Sequence, residues 1–417
     1  MAQHKPEAKM QNNNAKYLNN IKINYIYSFL KGVDLTRGIW MLFLVYKGMS
    51  LLEIGMIEGI YHISSFLMET PTGAIADIFG RKTSRLVGLG FTMISALLMI
   101  ASTDFIGCAI AFFFTALANN FESGAAEALV YDSLKVVNKE DEFMRVTGRI
   151  EVVTQLSSVL GLLIGGIMGT YSYVAIYLSV MAITVITLII GLNFHEPAIH
   201  TQKREPIGFI KAIKSQYVES YVILKGNFRL VYIIIFGSIV STFLTLSFFY
   251  LQVAWKGSGF VEWQIGIFLA ISSVSGAFGG LIADKVDKKL GDRFILTFFP
   301  YAVAILIPTF YFVTISIISF SMLCILESII FVATRDYINK LIPSEKRATI
   351  ISFDSAVFSL CMILIFPLFG FISDRIGIYN TFLMLSLVFF ILTLINSKIV
   401  SSMNSHMFDY ELEDKKT

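Results

Sequence analysis

The side chains best placed to do chemistry in this sequence are ionisable groups in unusually apolar surroundings. Asp34, Glu58, His62, Glu69, Glu122, Glu127 and Glu327 lie in stretches rich in Leu, Ile, Val and Phe. One such stretch, "FLKGVDLTRGIWMLFLVY" at residues 29–46, holds Lys31, Asp34 and Arg37 at intervals of three. A charge at the centre of a bilayer costs about 2.5–3.5 kcal/mol on the insertion scale, so such groups face a wet cavity or one another. Groups held this way can move protons or hold a charged solute. No catalytic set, metal site or cofactor site is expected. Cys108, Cys324 and Cys361 all lie in apolar runs and read as small core residues.

Read as one continuous helix, residues 29–46 place Asp34 about 60° from both Lys31 and Arg37, with the two cations about 9 Å apart along the axis. Asp34 then partly neutralises both and leaves an excess of one positive charge, for which Glu122 is the candidate acid. Glu122 and Glu327 are 205 residues apart. Glu58 and His62 are four apart and can pair, either as a structural pair or as a proton relay. Glu69 and Glu127 read as gate supports. The charges of residues 29–46 have two readings, an ion network that fixes helix packing and a substrate or proton site.

These residues must be positioned by membrane spans. The chain of 417 residues is 55% hydrophobic and 15% charged, with a mean hydropathy of +0.71, too little polar surface for a soluble domain. Twelve segments are long and apolar enough to cross a bilayer, six on each side of a polar gap. The expected organisation is a polar tail at 1–22, a six-helix bundle at 23–194, a central loop at 195–228, a second six-helix bundle at 229–398 and a tail at 399–417. Within the loop Phe209, Ile213, Tyr217 and Tyr221 recur every four residues and predict an amphipathic helix on the membrane surface. Placing both termini in the cytoplasm puts 28 Lys and Arg on that side and 3 on the other, which sets the orientation.

The halves repeat. "GAIADIFGRK" at 73–82 is echoed by "GLIADKVDKK" at 280–289, so Asp77 and Asp284 are 207 residues apart; Asp132 and Asp336 are 204 apart. Glu122 and Glu327 thus take near-equivalent places on spans 4 and 10. Two related six-helix halves argue for a transporter with its site between them near the midplane.

Gly73, Asp77, Gly80, Arg81 and Lys82, with "METPTG" before them and "YDSL" at Asp132, resemble the major facilitator superfamily, and within it bacterial twelve-span exporters of drugs and metabolites. The resemblance implies an all-α integral membrane fold, twelve transmembrane helices in two pseudo-symmetric six-helix bundles. It also implies a cytoplasmic gate of Gly73, Asp77, Gly80, Arg81, Lys82 and Asp132, mirrored by Asp284, Lys288 and Asp336. Exporters of this kind often carry a Gly-Pro pair in span 5; here the stretch reads "GLLIGGIMG", residues 161–169.

No Gly-Lys pair occurs in the chain, which excludes a Walker phosphate loop and leaves ion-gradient coupling or facilitated diffusion. The expectation is a proton-coupled exporter of a small amphipathic drug or metabolite, working by alternating access as a monomer in a bacterial plasma membrane. The substrate and proton pathway is expected to use Lys31, Asp34, Arg37, Glu58, His62, Glu122 and Glu327. Its partners are a small-molecule solute, protons and the lipid bilayer, without nucleic acid. The alternatives are a dedicated exporter of one endogenous metabolite such as a metallophore, an uptake symporter, and a non-transporting sensor or lipid-handling protein.

Overall fold

The computed structural model describes residues 4–197, 224–342 and 346–403. The amphipathic helix expected around Phe209, Ile213, Tyr217 and Tyr221 lies outside the described residues. Thirteen α-helices are described: α1 His4–Gly32, α2 Trp40–Tyr46, α3 Leu51–Phe79, α4 Arg81–Ala101, α5 Phe105–Val136, α6 Phe143–Tyr171, α7 Tyr173–Gly191, α8 Phe228–Gly257, α9 Glu262–Leu290, α10 Asp292–Leu306, α11 Val313–Leu341, α12 Arg347–Ile376 and α13 Ile378–Ser402. Eleven helical segments, from α3 onward, are long and apolar enough to cross a membrane. The remaining span is divided between α1 and α2. Helix α1 already begins at His4, within the expected polar tail, where Ala, Lys, Glu and Gln favour helix.

The division of that first span corrects the single-helix reading of residues 29–46. The chain leaves the helix after Gly32 and resumes it at Trp40. Asp34 accepts hydrogen bonds at Oδ1 from the backbone N–H of Thr36 at 2.9 Å and from its hydroxyl at 2.6 Å. This side-chain turn competes with the helical ladder and holds the break. Helix α6 makes room for it. A Cβ on Gly161 would lie 2.7 Å from the Asp34 carbonyl oxygen, and one on Gly165 would lie 2.2 Å from that of Leu35. The glycines of "GLLIGGIMG" therefore let α6 lie directly under a non-helical backbone.

The described residues fall into two compact units, one drawn from Met1–Trp40 and Ile60–Ala212, the other from Met41–Gly59 and Ile213–Thr417. In the first, α4 lies along α5, and α1 packs on α5, α6 and α7. The Ser84 hydroxyl donates to the Phe121 carbonyl at 2.7 Å, fixing α4 on α5. The Asn20 side chain clasps the chain after α7, donating to the His195 carbonyl at 2.8 Å and accepting from its N–H at 2.9 Å. In the second unit α11 packs against α8 and α9, and α13 against α10. Several of its buried polar side chains find partners across helices. Trp255 donates to Ser316 at 2.7 Å, Tyr250 to the Phe366 carbonyl at 2.9 Å, and Tyr232 to Asn396 at 2.8 Å. In a bilayer no water replaces such partners. Residues 51 and 52 belong to this unit; their backbone N–H groups donate to the Asp374 carboxylate at 3.0 and 2.9 Å.

Candidate functional site

The first unit holds a buried charge cluster built from three helices. Asn24, Tyr27 and Lys31 recur on one face of α1, Arg85 stands one turn into α4, and Glu122 lies in the middle of α5. Arg85 is 1% exposed, and each of its three side-chain nitrogens has a partner. Its Nε and Nη2 approach Glu122 Oε1 at 3.0 and 2.8 Å, and its Nη1 donates to Asn24 Oδ1 at 2.6 Å. The guanidinium also lies over the rings of Tyr27 and Phe194, at 4.1 and 4.9 Å from their centroids. A flat cation packed against two adjoining aromatic rings is stabilised by the ring quadrupoles, more so without water. The other carboxylate oxygen of Glu122 accepts from the Tyr27 hydroxyl at 3.1 Å and stands 3.7 Å from the Lys31 ammonium.

The acid that the charge balance of residues 29–46 asked for is thus Glu122, by geometry as well as by kind. Asp34 does not bridge Lys31 and Arg37 along one helix, because Asp34 and Arg37 both lie in the break. Asp34 turns its carboxylate onto Thr36, and Arg37 donates to the Ser158 hydroxyl of α6 at 3.2 Å. Arg85 was missed because it follows Arg81 and Lys82 and counts there as one more loop cation. The sequence signal available was Asn24, Tyr27 and Lys31 on one helical face, a polar stripe that needs a buried partner.

Around this cluster the unit exposes a polar wall. On α5, Asn119, Ser123 and Glu127 are exposed at intervals of four; on α6, Glu151 and Gln155 are exposed and Ser158 is half-buried. Tyr61 of α3 accepts from the Asn119 amide at 3.0 Å. Along their own helices, at 1.5 Å per residue, Glu122 lies about 21 Å from the end of α5 at Val136 and Ser158 about 22–23 Å from the start of α6 at Phe143, with Glu127 and Glu151 about 12–14 Å from those ends. Glu69 of α3 is exposed, about 15 Å from the end of that helix at Phe79. Glu58 and His62 are buried one turn apart on α3, the first in the second unit and the second in the first.

In the second unit Glu327 stands midway along α11, 9% exposed, and accepts from the Ser241 hydroxyl of α8 at 3.0 Å. Among the described residues no cation pairs with it.

The motif turn is built as its spacing predicts at Asp77 and Arg81, which pair at 2.7 Å. Helix α3 stops at Phe79, and Gly80, at φ 96, turns the chain into α4. That conformation, and a Cβ that would fall 2.7 Å from Glu196, admit only glycine. Glu196 itself accepts from the N–H groups of Arg81 and Lys82 at 2.7 and 2.8 Å, a carboxylate at the positive end of α4. The Lys82 ammonium donates to the Leu192 carbonyl at 2.7 Å. Asp132 lies within electrostatic reach of Arg81, Glu196 and Asp77. Gly73 is within α3, with open space beside it. The mirrored turn is simpler. Asp284 pairs with Lys288 at 2.8 Å, while Asp336 pairs with Lys340 on its own helix at 2.7 Å rather than joining them. Near it, the Tyr337 hydroxyl donates to Asp287 of α9.

Comparison with known proteins extends these observations. The sequence profile of the Major Facilitator Superfamily matches residues 33–355. The uncharacterized MFS-type transporter YxaM of Bacillus subtilis (strain 168) is 24% identical over 408 residues, covering 94% of this chain and 99% of that protein. Among solved structures the fold matches the nucleoside transporter NupG with a TM-score of 0.74 at 14% identity, covering 95% of this chain and 100% of that one. It matches a D-xylose-proton symporter with a TM-score of 0.68 at 12% identity, covering 94% and 98%. The apolar helices, the two repeated halves, the turn at Gly73–Lys82 and the profile match agree: this chain is a multi-pass membrane protein that belongs to the Major Facilitator Superfamily of transporters.

Proposed function

We propose that this transporter is proton-coupled and moves a small charged or amphipathic solute by alternating access, outward from the cytoplasm. The observation that carries the coupling is the pair of mid-helix carboxylates at repeat-related positions in unlike surroundings. Glu122 is held by Arg85, Lys31 and Tyr27. Glu327 is buried beside one hydroxyl. A carboxylate with two cations around it is a fixed charge, suited to holding a solute. A carboxylate with only a hydroxyl partner is costly to leave charged in a membrane, so it is suited to being loaded with a proton and unloaded in turn. Support for export comes from the resemblance of the 73–82 turn and its flanks to exporters. The polar wall of the first unit, with Asn119, Ser123, Gln155 and Ser158 among its charges, supports a solute path along that unit.

The test uses purified protein in liposomes containing a pH-sensitive dye, with solutes first found by accumulation in whole cells across a compound library. Proton and solute should move in opposite senses, and Glu327→Gln should bind solute but lose flux driven by a pH gradient. Normal pH-driven flux in that variant would remove Glu327 from the pathway. Movement of proton and solute in the same sense would replace export with uptake by symport, the activity named for the D-xylose-proton symporter that shares the fold.

A further inference from the structure

We propose that Asp374 is a releasable clasp, which holds the start of α3 on α12 while that end of the transporter is closed and lets it go when the end opens. The proposal rests on the alternating access proposed above and names a residue that controls it.

The turn that carries Asp374 is a further copy of the motif turn. Gly370, Asp374 and Gly377 of "GFISDRIG" keep the spacing of Gly73, Asp77 and Gly80. The backbone agrees. Gly80 and Gly377, at φ 96 and 84, each join a helix that stops one residue before to one that starts one residue after. The partners of the two aspartates differ. Asp77 is held by Arg81, four residues on. The same position after Asp374 is Ile378, and the neighbouring Arg375 lies over the Phe371 ring, 3.4 Å from its centroid. The Asp374 carboxylate instead reaches another element, one oxygen taking the N–H of Leu51 and the other that of Leu52.

Helix α3 does not need this carboxylate in order to begin. Ser50 and Glu53 form a capping box of their own. The Ser50 hydroxyl accepts from the Glu53 N–H at 3.2 Å, and the Glu53 carboxylate accepts from the Ser50 N–H at 2.9 Å. At the start of α4, Gly80 has no side chain to offer, and Glu196 supplies the acceptors. Asp374 therefore joins two helices rather than completing one. It is exposed, so water can take up the two N–H groups when it leaves.

The joined helices meet backbone to backbone. A Cβ on Gly55 would fall 2.6 Å from Pro367 Cα, and one on Gly370 would fall 2.1 Å from the Leu51 carbonyl oxygen. Glycines on both helices thus allow a close approach with no side chains to disengage at those points. Residues 51–59 belong with α12 in the second unit, while α3 itself continues into the first. The clasp lies at the start of α3, about 42 Å along that helix from its end at Phe79, beside the Gly80 turn. Two turns of one design then serve opposite ends of one helix, and alternating access requires that the two ends open in turn.

The test uses the full chain in liposomes, with Cys108, Cys324 and Cys361 replaced by Ser and a single reporter introduced as Gly59→Cys. Gly59 is buried, and a Cβ there meets Pro367 Cγ at 3.7 Å, an ordinary contact, so the thiol is covered by α12 while the clasp holds. Its rate of reaction with a polar maleimide reads the fraction of open molecules. Asp374→Ala should raise that rate about fivefold, the shift expected when a helix cap is lost from one state only. Asp374→Glu keeps the carboxylate and should stay nearer the wild type. Glu196→Ala removes the corresponding acceptor at α4 and should leave the rate unchanged. Both alanine variants should lose no more than a few degrees of Tm. Hydrogen exchange over residues 51–59, in the protein with its own cysteines, makes the same comparison if Gly59→Cys does not fold. An unchanged rate in Asp374→Ala, or an equal rise in Glu196→Ala, would overturn the clasp. The labelling needs neither solute nor pH gradient. A clasp that responds as stated in a protein without pH-driven flux would therefore stand, while the proton coupling proposed above would fall.

Discussion

Glu122 and Glu327 occupy repeat-related places, and the two units treat them oppositely. In the first unit the carboxylate sits among Arg85, Lys31, Tyr27 and, through Arg85, Asn24. In the second it meets the Ser241 hydroxyl in a unit whose interior is dominated by rings such as Tyr250, Phe366, Phe369 and Phe382. A repeat preserves the position of a helix and its lining residue while the surroundings diverge. Equivalent acids can thereby take different tasks. One is a permanent member of an ion network, and the other is a lone buried carboxylate.

The largest expected effect breaks the ion network. Arg85→Met leaves Glu122 buried with one long ion pair, and deleting one partner of a buried network costs about 3–5 kcal/mol. A fall in Tm and in expression is expected, together with loss of transport. Replacing Lys31, Arg85 and Glu122 together by apolar residues of similar size should recover most of the stability, since it removes all three desolvation costs. It should not recover transport. A triple variant that transports normally would make the cluster purely structural and end the contrast with Glu327.

Glu327→Gln sharpens the same comparison from the other side. No cation among the described residues is orphaned by it, and the amide can still accept from Ser241. Tm should move by no more than a few degrees, about 1 kcal/mol or less, while pH-driven flux is lost. A drop in Tm as large as that of Arg85→Met would mean that Glu327 has a structural partner, and the two acids would then be alike.

How much of this was readable beforehand depends on the kind of residue. The repeat, the spans and the Asp77–Arg81 pair follow from hydropathy and spacing, which are local signals. The need of Lys31 for an acid followed from counting charges. The break at residues 33–39 did not, because hydropathy over 29–46 is that of an unbroken span; the turn at Asp34 and Thr36 is a side-chain effect, and the glycines that accommodate it lie on α6. Arg85 was hidden by its position next to a basic turn. Glu196 and Asp374 were hidden by distance, since each acts on a helix start 114 or more residues away.

Those two carboxylates give a second, smaller comparison between the units. Glu196 accepts from the first N–H groups of α4, and Asp374 from those of α3. Glu196→Ala and Asp374→Ala should each cost about 1 kcal/mol, the usual loss for a helix cap. The two variants are compared by Tm at fixed lipid and detergent. Equal losses are expected if both groups act only as caps. A much larger effect of Asp374→Ala on transport than on Tm would show that its contact with residues 51 and 52 is made and released during the cycle.

The smallest effect is expected at the residue whose charge first drew attention. Were Asp34 the central counter-ion of Lys31 and Arg37 on one helix, its neutralisation would cost as much as breaking any buried network. In the structure its carboxylate is exposed and serves the backbone of its own turn. Asparagine keeps the Oδ1 acceptor for Thr36, so Asp34→Asn should change Tm by about a degree or less, consistent with a surface substitution. Alanine removes the acceptor, and Asp34→Ala should lose about 1 kcal/mol, the net worth of the hydrogen bonds that hold the turn. The order matters more than the magnitudes. Asn close to wild type with Ala below it places the role of Asp34 in shaping the break. Asn and Ala equally and severely destabilised would restore the charge of Asp34 as its role and leave the hydrogen bonds to Thr36 as incidental.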